Sequence, residues 1–217
     1  MSQVVVIVGG GSLSPRAVEA VEDDAVIVAA DSGLDHAVEA GLRPAHLVGD
    51  LDSISASGRM WAYALELDID EHPVAKDLID TELALATAVE LAGDEAPSTD
   101  LLLLGAAAGD RLDHLLGTLL ALGHPALAAL ATVRAVLGTT EVHTVHAGHT
   151  ARPTLEPGQV FSVLALHGPC TGVRVRGAEW ELVDADLSAH EARGVSNLAK
   201  EDVMVTVGTG VLSVVIP

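Results

Sequence analysis

From residue 4 to about residue 136, short apolar runs alternate with longer segments of helical character, and this order limits the folds available to the chain. Six apolar runs predict strands, at 4–8, 25–29, 46–48, 68–72, 101–104 and 133–137. Four intervening segments predict helices, at 14–21, 34–40, 81–91 and 112–122. Such alternation is typical of a parallel α/β sheet. The runs are continuously apolar, as expected when helices cover both faces of a sheet.

The pattern changes after residue 138. Gly, Pro and Thr recur between short strand-like pieces, namely EVHTV, QVFSVLAL, GVRVRG, VMVTV and GVLSVVI. No convincing amphipathic helix interrupts them, which is typical of a small antiparallel sandwich or barrel. The predicted fold is therefore an N-terminal Rossmann-like parallel α/β domain at 1–138 and a C-terminal all-β sandwich domain at 139–217.

Five aspartates stand where apolar runs of the first part give way to a loop or a helix start. They are Asp31, Asp50, Asp52, Asp77 and Asp80. Any one of them could be an ordinary turn or cap residue. Together they lie at strand ends that meet at one edge of a parallel sheet, where open α/β folds bind ligands. Oxygen ligands clustered there favour Mg²⁺ and a phosphorylated substrate.

Asp50 and Asp52 are two residues apart, so their side chains would point the same way if the segment were extended. Two like charges held this close raise each other's pKa unless a cation offsets them. A divalent cation is the simplest one to propose.

The charge of the chain restricts its partners. Lys and Arg number 11 against 31 Asp and Glu, a formal net charge of −20. This balance argues against nucleic acids and anionic membranes, because both select basic surfaces. Cations for a phosphate ligand come from a short list, in which Lys76 precedes Asp77 and Arg111 opens a predicted helix. The backbone N–H groups of a helix start also favour anions.

Two further local sequence patterns concern ligand binding. Gly10 and Gly11, in the GGGS that follows the first predicted strand, could lie against phosphate or adenosine, although the segment lacks the lysine of a P-loop. His143, His146 and His149 suggest zinc, but a three-residue spacing in a strand puts neighbouring side chains on opposite faces. We expect these histidines at a surface or an interface.

The compartment is expected to be the cytoplasm. The single cysteine, Cys170, excludes an intrachain disulfide and fits a reducing environment. The N-terminal run VVVIV lacks a basic flank, so no cleavable signal is predicted, and no window approaches twenty uninterrupted apolar residues.

Five motifs occur in an order and spacing that resemble the thiamine pyrophosphokinases, which transfer the terminal diphosphate of ATP to thiamine and release AMP. They are ADSGLDHAVEAGLRPAHLVGDLDSI, KDLIDTELAL, GDRLDHLLGTL, GAEWEL and GVSN. The resemblance covers nearly the whole chain. It implies an α/β domain that holds ATP, a β-sandwich domain, and a homodimer in which both subunits contribute to each thiamine pocket near the subunit interface.

The resemblance also implies roles for individual residues. Asp50, Asp52 and Asp80 would carry Mg²⁺, with Asp31 and Asp77 in the same catalytic cluster. The residues expected at ATP are Gly10, Gly11, Lys76, Arg111, Asp113 and His114. Those expected at thiamine are Trp180, whose aromatic face would attract a cationic thiazolium, together with Ser196 and Asn197 as hydrogen-bonding groups.

The chain departs from the family motifs at four positions. Ser32 stands for a glycine, Leu51 for the Phe of GDFDS, Ile79 for a threonine and Asp110 for a glycine. Ile79 lacks a hydroxyl group, and Asp110 places a negative charge beside Arg111. Two alternatives therefore stay open: a diphosphokinase for another heterocyclic alcohol, such as a hydroxymethylpterin, and a non-catalytic nucleotide or thiamine sensor. Retention of all five aspartates favours an enzyme.

Overall fold

A computed structural model describes residues 2–105 and 111–217, so Asp110 lies outside the described residues. The strands of the first part are β1 to β6, at Gln3–Ile7, Val26–Ala30, His46–Gly49, Asp68–Glu71, Asp100–Gly105 and Thr132–Leu137. The helices are α1 to α5, at Pro15–Glu19, Gly33–Glu39, Ala56–Ala64, Asp80–Ala92 and Leu112–Ala121. Short 3-10 helices lie at Gly93–Ser98 and Pro125–Ala129. All six predicted strands and all four predicted helices are present, with ends that differ by a few residues.

Helix α3 was not predicted. It begins at the N-cap Ser55, whose side chain accepts a hydrogen bond of 3.0 Å from the Gly58 N–H. Its buried face consists of only Gly58 and Ala62, while Met60 is 74% exposed and Tyr63 66% exposed. Because so little of the helix is apolar and buried, its sequence carries a weak periodic signal.

The strands of the first part form a parallel array in the order β6-β5-β1-β2-β3-β4. Alternate residues of β1 enter different cores: Val4 and Val6 pack in the cluster that includes α4, and Val5 and Ile7 pack in the cluster on the opposite face. All four are fully buried. This two-sided burial explains the continuously apolar runs and places the carboxyl ends of the parallel strands at one edge of the sheet.

The second part adds β7 to β13, at Thr140–His146, Thr150–Ala151, Val160–Leu164, Cys170–Ala178, Leu182–Leu187, Asn197–Thr206 and Val211–Ile216. β7 pairs antiparallel with β6, and the sheet continues in the order β7-β13-β9-β12-β10-β11, with β8 on β12. In the described part of the chain no helix follows residue 129, as expected. Strand β11 was not predicted.

The architecture is thus mixed α/β with one large sheet. The change from parallel to antiparallel pairing falls at the turn between β6 and β7, where the domain boundary was predicted; the division into two domains stays a prediction. The second part has its own core, centred on Phe161, which is fully buried against residues such as Val175 and Val205. Over the residues that the structure describes, none of the helices is long and apolar enough to cross a membrane.

Candidate active site

Three carboxylates meet at the carboxyl edge of the parallel strands. Asp31 directly follows β2, and Asp50 and Asp52 follow the neighbouring strand β3. One carboxylate oxygen from each of the three lies within 4.8 Å of those of the others. The expectation that these strand ends bring their aspartates together is therefore met for these three residues.

The segment that carries Asp50 and Asp52 turns and is not extended, so the two carboxylates come together by another geometry. Strand β3 ends at Gly49, and Leu51 has a left-handed backbone with φ of 60°. The Asp52 N–H donates to Asp50 Oδ1 over 3.3 Å, which closes the turn. Leu51 is only 3% exposed and packs in the core near α2 and α3, so its burial anchors the turn that carries the two acidic neighbours.

Gly49 allows the close approach of the acidic groups. Its φ is 142°, and a Cβ at this position would lie 3.0 Å from Asp80 Oδ1 and 3.2 Å from Asp31 Cβ. A side chain here would thus collide with two carboxylate-bearing residues, which explains why glycine precedes the acidic turn.

Asp31 is buried among other acids. It is 9% exposed, its Oδ2 accepts a hydrogen bond from Ser53 Oγ, and its Oδ1 has no hydrogen-bond partner among the described residues. Burial raises the pKa of Asp31, and the charges of Asp80 and Asp50 raise it further, while the Ser53 hydrogen bond opposes them. An unpartnered buried carboxylate oxygen of this kind is stabilised by a nearby cation.

Lys76 is the cation that the chain itself supplies. Its Nζ lies 2.9 Å from Asp50 Oδ2 and 3.0 Å from Asp80 Oδ1, and its side chain is 12% exposed. The hydrogen bond from Lys76 is the main cause that lowers the pKa of Asp50. Burial works against the charge of Lys76, but the two carboxylates outweigh it and raise the pKa of this amine. Asp80, the first residue of α4, thereby joins the acidic cluster.

The donors gathered here fit a hard divalent cation. They are carboxylate oxygens, one of them buried and unpartnered, and they converge from two strand ends and a helix start. Such oxygen ligands are those that Mg²⁺ takes in proteins. Asp77 is placed differently: it is exposed and outside both the three-carboxylate group and the cavity next to it.

A cavity of about 820 Å³ opens beside the cluster, between α4, α5 and the ends of β1 and β2. The predicted ATP residues that line it are Gly10, Lys76, Arg111, Asp113 and His114; Gly11 is the next residue along from this lining. Arg111 donates to Asp113 at 3.0 and 2.8 Å, and this pair lowers the pKa of Asp113 to about 2. The exposed guanidinium is thus held at the mouth of the cavity.

A second cavity, of about 780 Å³, contains the three residues predicted to bind thiamine. Trp180 is 59% exposed, so its ring is available to a ligand. Asn197 is 5% exposed and is committed to Trp180: its Oδ1 accepts from the Trp180 N–H at 3.1 Å, and its Nδ2 donates to the Trp180 carbonyl at 2.8 Å. Ser196 adopts a left-handed backbone with φ of 61°. Asn197 therefore fixes the segment that presents the tryptophan.

Several site residues were missed from the sequence. Ser53 could have been found, because it ends the GDLDS motif and bonds to Asp31. His36, which accepts a hydrogen bond from the Gly11 N–H, carries no local signal, and Ser32 was noted only as a departure from the family motif, not as a contact of Gly9. In the second cavity Glu179 and Arg193 were also missed, and Glu179 is paired with Lys200 at 2.6 Å.

His143 and His146 on β7, and His149 just after it, do not form a metal site in the part of the chain that is described. His143 lies 2.8 Å from Glu141, and His146 and His149 are in ring contact at 6.4 Å. The expectation of surface or interface positions was wrong for His146, which is 4% exposed. It faces inward because it shares a strand face with the buried Val142 and Thr144.

Comparison with known proteins shows which family the chain matches. Residues 18–132 match the family described as "Thiamin pyrophosphokinase, catalytic domain", and residues 143–212 match "Thiamin pyrophosphokinase, vitamin B1 binding domain". No curated protein matches the chain.

Solved structures with similar folds carry related names. Thiamine pyrophosphokinase from Bacillus subtilis is 21% identical, with a TM-score of 0.79 over 99% of this chain and 98% of that one. The Geobacillus thermodenitrificans enzyme is 25% identical, with a TM-score of 0.74 over 98% and 96%. The yeast enzyme is 14% identical, with a TM-score of 0.73 over 100% and 87%. On the two family matches, which span most of its length, the chain belongs to the thiamin pyrophosphokinase family, the enzymes that make thiamine diphosphate.

Proposed function

We propose that this enzyme transfers diphosphate from ATP to the hydroxyl group of thiamine in a Mg²⁺-dependent reaction that releases AMP. The observation that carries the proposal is the group of Asp31, Asp50 and Asp52, with a buried unpartnered oxygen, at the open edge of a parallel sheet. A cavity large enough for a nucleotide adjoins it and contains exposed basic groups. This combination is typical of a site where metal and cations stabilise phosphoryl charge.

Asp50, Asp52 and Asp80 are assigned to Mg²⁺, with Asp31 and Asp77 in supporting positions. When bound, the ion supplies positive charge that offsets the phosphate oxygens and so lowers the barrier to transfer. Lys76 is paired with both Asp50 and Asp80 and offsets one of their two negative charges. With a divalent cation held by these carboxylates, the Lys76 amine would contact a phosphate oxygen of ATP.

The remaining ATP contacts are assigned by their places in the cavity. Arg111 binds phosphate, and Asp113 orients its guanidinium through their two hydrogen bonds. His114, exposed on the first turn of α5, contacts the nucleotide. Gly10 and Gly11 bring backbone close to the phosphates or the adenosine.

The transfer itself is an in-line displacement. The thiamine hydroxyl oxygen bonds to the β-phosphorus of ATP while the bond from that phosphorus to the bridging oxygen of AMP breaks. Asp31 and Asp80 are the carboxylates available to take the hydroxyl proton. Trp180 stacks on thiamine, Ser196 offers a hydroxyl group, and Asn197 keeps the tryptophan in place.

We further propose a homodimer with active sites near the subunit interface. The acidic cavity and the Trp180 cavity share no lining residue in one chain. Exposed apolar side chains border each of them: Leu78 and Leu112, 48% and 65% exposed, at the first, and Val195, 46% exposed, at the second. Two copies that pair these surfaces would bury the apolar groups and bring thiamine to ATP.

The finer division of the fold is part of the same proposal. A Rossmann-like α/β unit at 1–138 would hold ATP, and a β-sandwich at 139–217 would hold thiamine, an arrangement that the separate family matches support. A cytoplasmic location fits the single buried cysteine, Cys170.

The test is AMP release from ATP and Mg²⁺ by the purified protein, with and without thiamine, while thiamine diphosphate is followed in parallel. We expect equal amounts of AMP and thiamine diphosphate, and no product after chelation of the metal. AMP release with a hydroxymethylpterin but not with thiamine would support the other acceptor. Calorimetric ATP binding without any AMP release would support a sensor.

A further inference from the structure

The glycine loop, defined here as Gly9–Ser12 after β1, is held by side chains of α2. The Gly11 N–H donates to His36 Nε2 over 3.2 Å. One turn of helix later, Glu39 Oε2 accepts a hydrogen bond of 2.9 Å from Ser12 Oγ. His36 and Glu39 therefore tie two consecutive loop residues to one helix.

Ser32 holds the other end of the glycine loop. A Cβ on Gly9 would lie 2.3 Å from Ser32 Oγ, so the serine side chain lies directly against this glycine. The contact is made by the Ser32 side chain, which a glycine at this position could not provide. Ser32 also directly follows Asp31, so the segment between β2 and α2 carries both a residue of the acidic cluster and a residue that supports the glycine loop.

Such support matters because the loop is rich in glycine. Gly10 and Gly11 have φ of 112° and 145°, values that glycine adopts easily and other residues rarely do. A glycine-rich loop that is not held by other groups has a large backbone entropy. A ligand that binds only to the ordered loop loses affinity, because the loop gives up this entropy when the ligand binds. Gly9 and Gly10 line the catalytic cavity, so the cost would fall on the ligand bound there.

We propose that His36 is a positioning residue for ATP, which orders the glycine loop through the Gly11 N–H before the nucleotide binds. The inference rests on the proposed function for its ligand, but the loop contact can be tested without any ligand. Because His36 Nε2 accepts the hydrogen bond from the Gly11 N–H, it carries no proton. The neutral imidazole then has its proton on Nδ1, which lies 3.9 Å from Glu39 Oε2.

The first test is hydrogen exchange of the Gly11 amide in the free protein. His36→Leu removes the acceptor and should speed exchange at Gly11 by about tenfold or more, because its protection falls with the loss of the hydrogen bond. His36→Gln keeps an acceptor at a similar reach and should restore most of the protection. His46→Leu, the same change at the opposite end of the parallel strands, is the matched control. Unchanged exchange in His36→Leu would overturn the proposal.

The second test is steady-state kinetics of the same three variants. His36→Leu should raise KM for ATP by about tenfold and leave kcat and KM for thiamine near those of the parent protein. His36→Gln should stay within about twofold of the parent. Faster exchange at Gly11 with an unchanged KM for ATP would mean that the contact is only structural, and would also overturn the proposal.

The two tests separate this inference from the proposed function. If the parent protein releases no AMP, the proposed function fails, while calorimetric ATP binding by His36→Leu and His36→Gln still decides whether the loop contact sets nucleotide affinity. Equal ATP affinity in all variants would count against His36.

Discussion

At the scale of residues, the site is organised around charge that the chain only partly compensates. Asp31, Asp50 and Asp52 lie within one small volume, and Lys76 is paired with Asp50 and Asp80 but does not reach the buried Asp31 Oδ1. A buried carboxylate whose charge is not compensated by a partner destabilises the folded protein. The acidic cluster is therefore arranged to bind a cation that the polypeptide does not supply. This arrangement serves the function of the protein more than its folding.

Asp52→Asn should abolish turnover without weakening the fold. Asp52 is exposed, so the free energy of unfolding should change by less than about 0.5 kcal/mol. Loss of a charge at the reacting phosphates should lower kcat by about 10² or more. Urea unfolding and AMP release measure the two effects, and Asp94→Asn, at an exposed aspartate of a 3-10 helix, is the control. Near-normal turnover would show that the metal is held elsewhere.

Trp180→Ala should weaken thiamine far more than ATP. The ring is 59% exposed, and its backbone is already fixed by Asn197, so truncation removes a ligand surface and little packing. We expect KM for thiamine to rise about tenfold and KM for ATP to change less than twofold, as loss of one aromatic contact would cause. Trp180→Phe, which keeps an aromatic face, should recover part of the affinity. Equal losses for both substrates would indicate a structural tryptophan.

At the scale of elements, helix α4 begins at Asp80, a residue of the acidic cluster, and the residue before it caps the helix poorly. Ile79 is the N-cap residue and has no side-chain acceptor, although its own backbone N–H donates a hydrogen bond of 2.9 Å to Glu82 Oε2. A capping side chain normally satisfies an N–H group in the first turn. Helix α4 is instead anchored by buried Ala84, Leu85 and Ala88 against the sheet.

Ile79→Thr should stabilise the protein by about 1 kcal/mol, because threonine restores the missing acceptor at the N-cap. The side chain is 43% exposed and lines the cavity beside the acidic cluster, so little buried apolar surface is lost. Ile79→Val has nearly the shape of threonine without the hydroxyl group and is the control. Chemical unfolding of the pair measures the difference, and equal stabilities would show that the hydroxyl does not reach the first turn.

At the scale of the whole molecule, the parallel and antiparallel parts meet at a junction that contains the buried His146 and the half-buried His167. His146 lies on β7, and His167 Nε2 is 3.2 Å from Ser213 Oγ of β13. A Cβ on Gly123 would lie 2.2 Å from His167 Nδ1, so this imidazole packs directly on the end of α5. Burial lowers the pKa of both histidines, and neighbouring His149 and His167 add to the effect at His146.

Stability should therefore fall as the pH is lowered from 7.5 to 5.5. A histidine with a depressed folded pKa takes up its proton more readily in the unfolded chain, so its contribution to stability is complete above about pH 6.5 and is lost below it. Glu141, whose pKa the His143 hydrogen bond helps to lower to about 2, loses its contribution only at more acidic pH. Urea unfolding at several pH values should show a smaller slope for His146→Gln and His167→Gln. His190→Gln, at an exposed loop histidine, should keep the slope of the parent.

Much of the fold and part of the site could be predicted from local pattern. Five of the six runs of the first part became strands because they are largely apolar and buried, whereas β4, DIDE, is mostly exposed and is a strand through its pairing with β3. The aspartates that follow β2 and β3 were found at those strand ends. Strand β11 was missed because LVDADL has two aspartates and mostly exposed side chains; it is a strand because β10 pairs with it. Asp77 shows the limit of the same reasoning, since it shares a motif with Asp80 but lies outside the cavity.

The sequence by itself determined most of the strands and helices, which strand ends carry acids, and which family the motifs resemble, because these properties depend on residues close together in the chain. Only the tertiary structure decided that Lys76 bridges Asp50 and Asp80, that His36 holds Gly11, and that the Trp180 cavity lies apart from the acidic one. Each of these depends on which elements pack together and on backbone turns such as that at Leu51. Periodicity tells which face of an element is buried, whereas a contact between distant residues depends on the packing of the whole sheet.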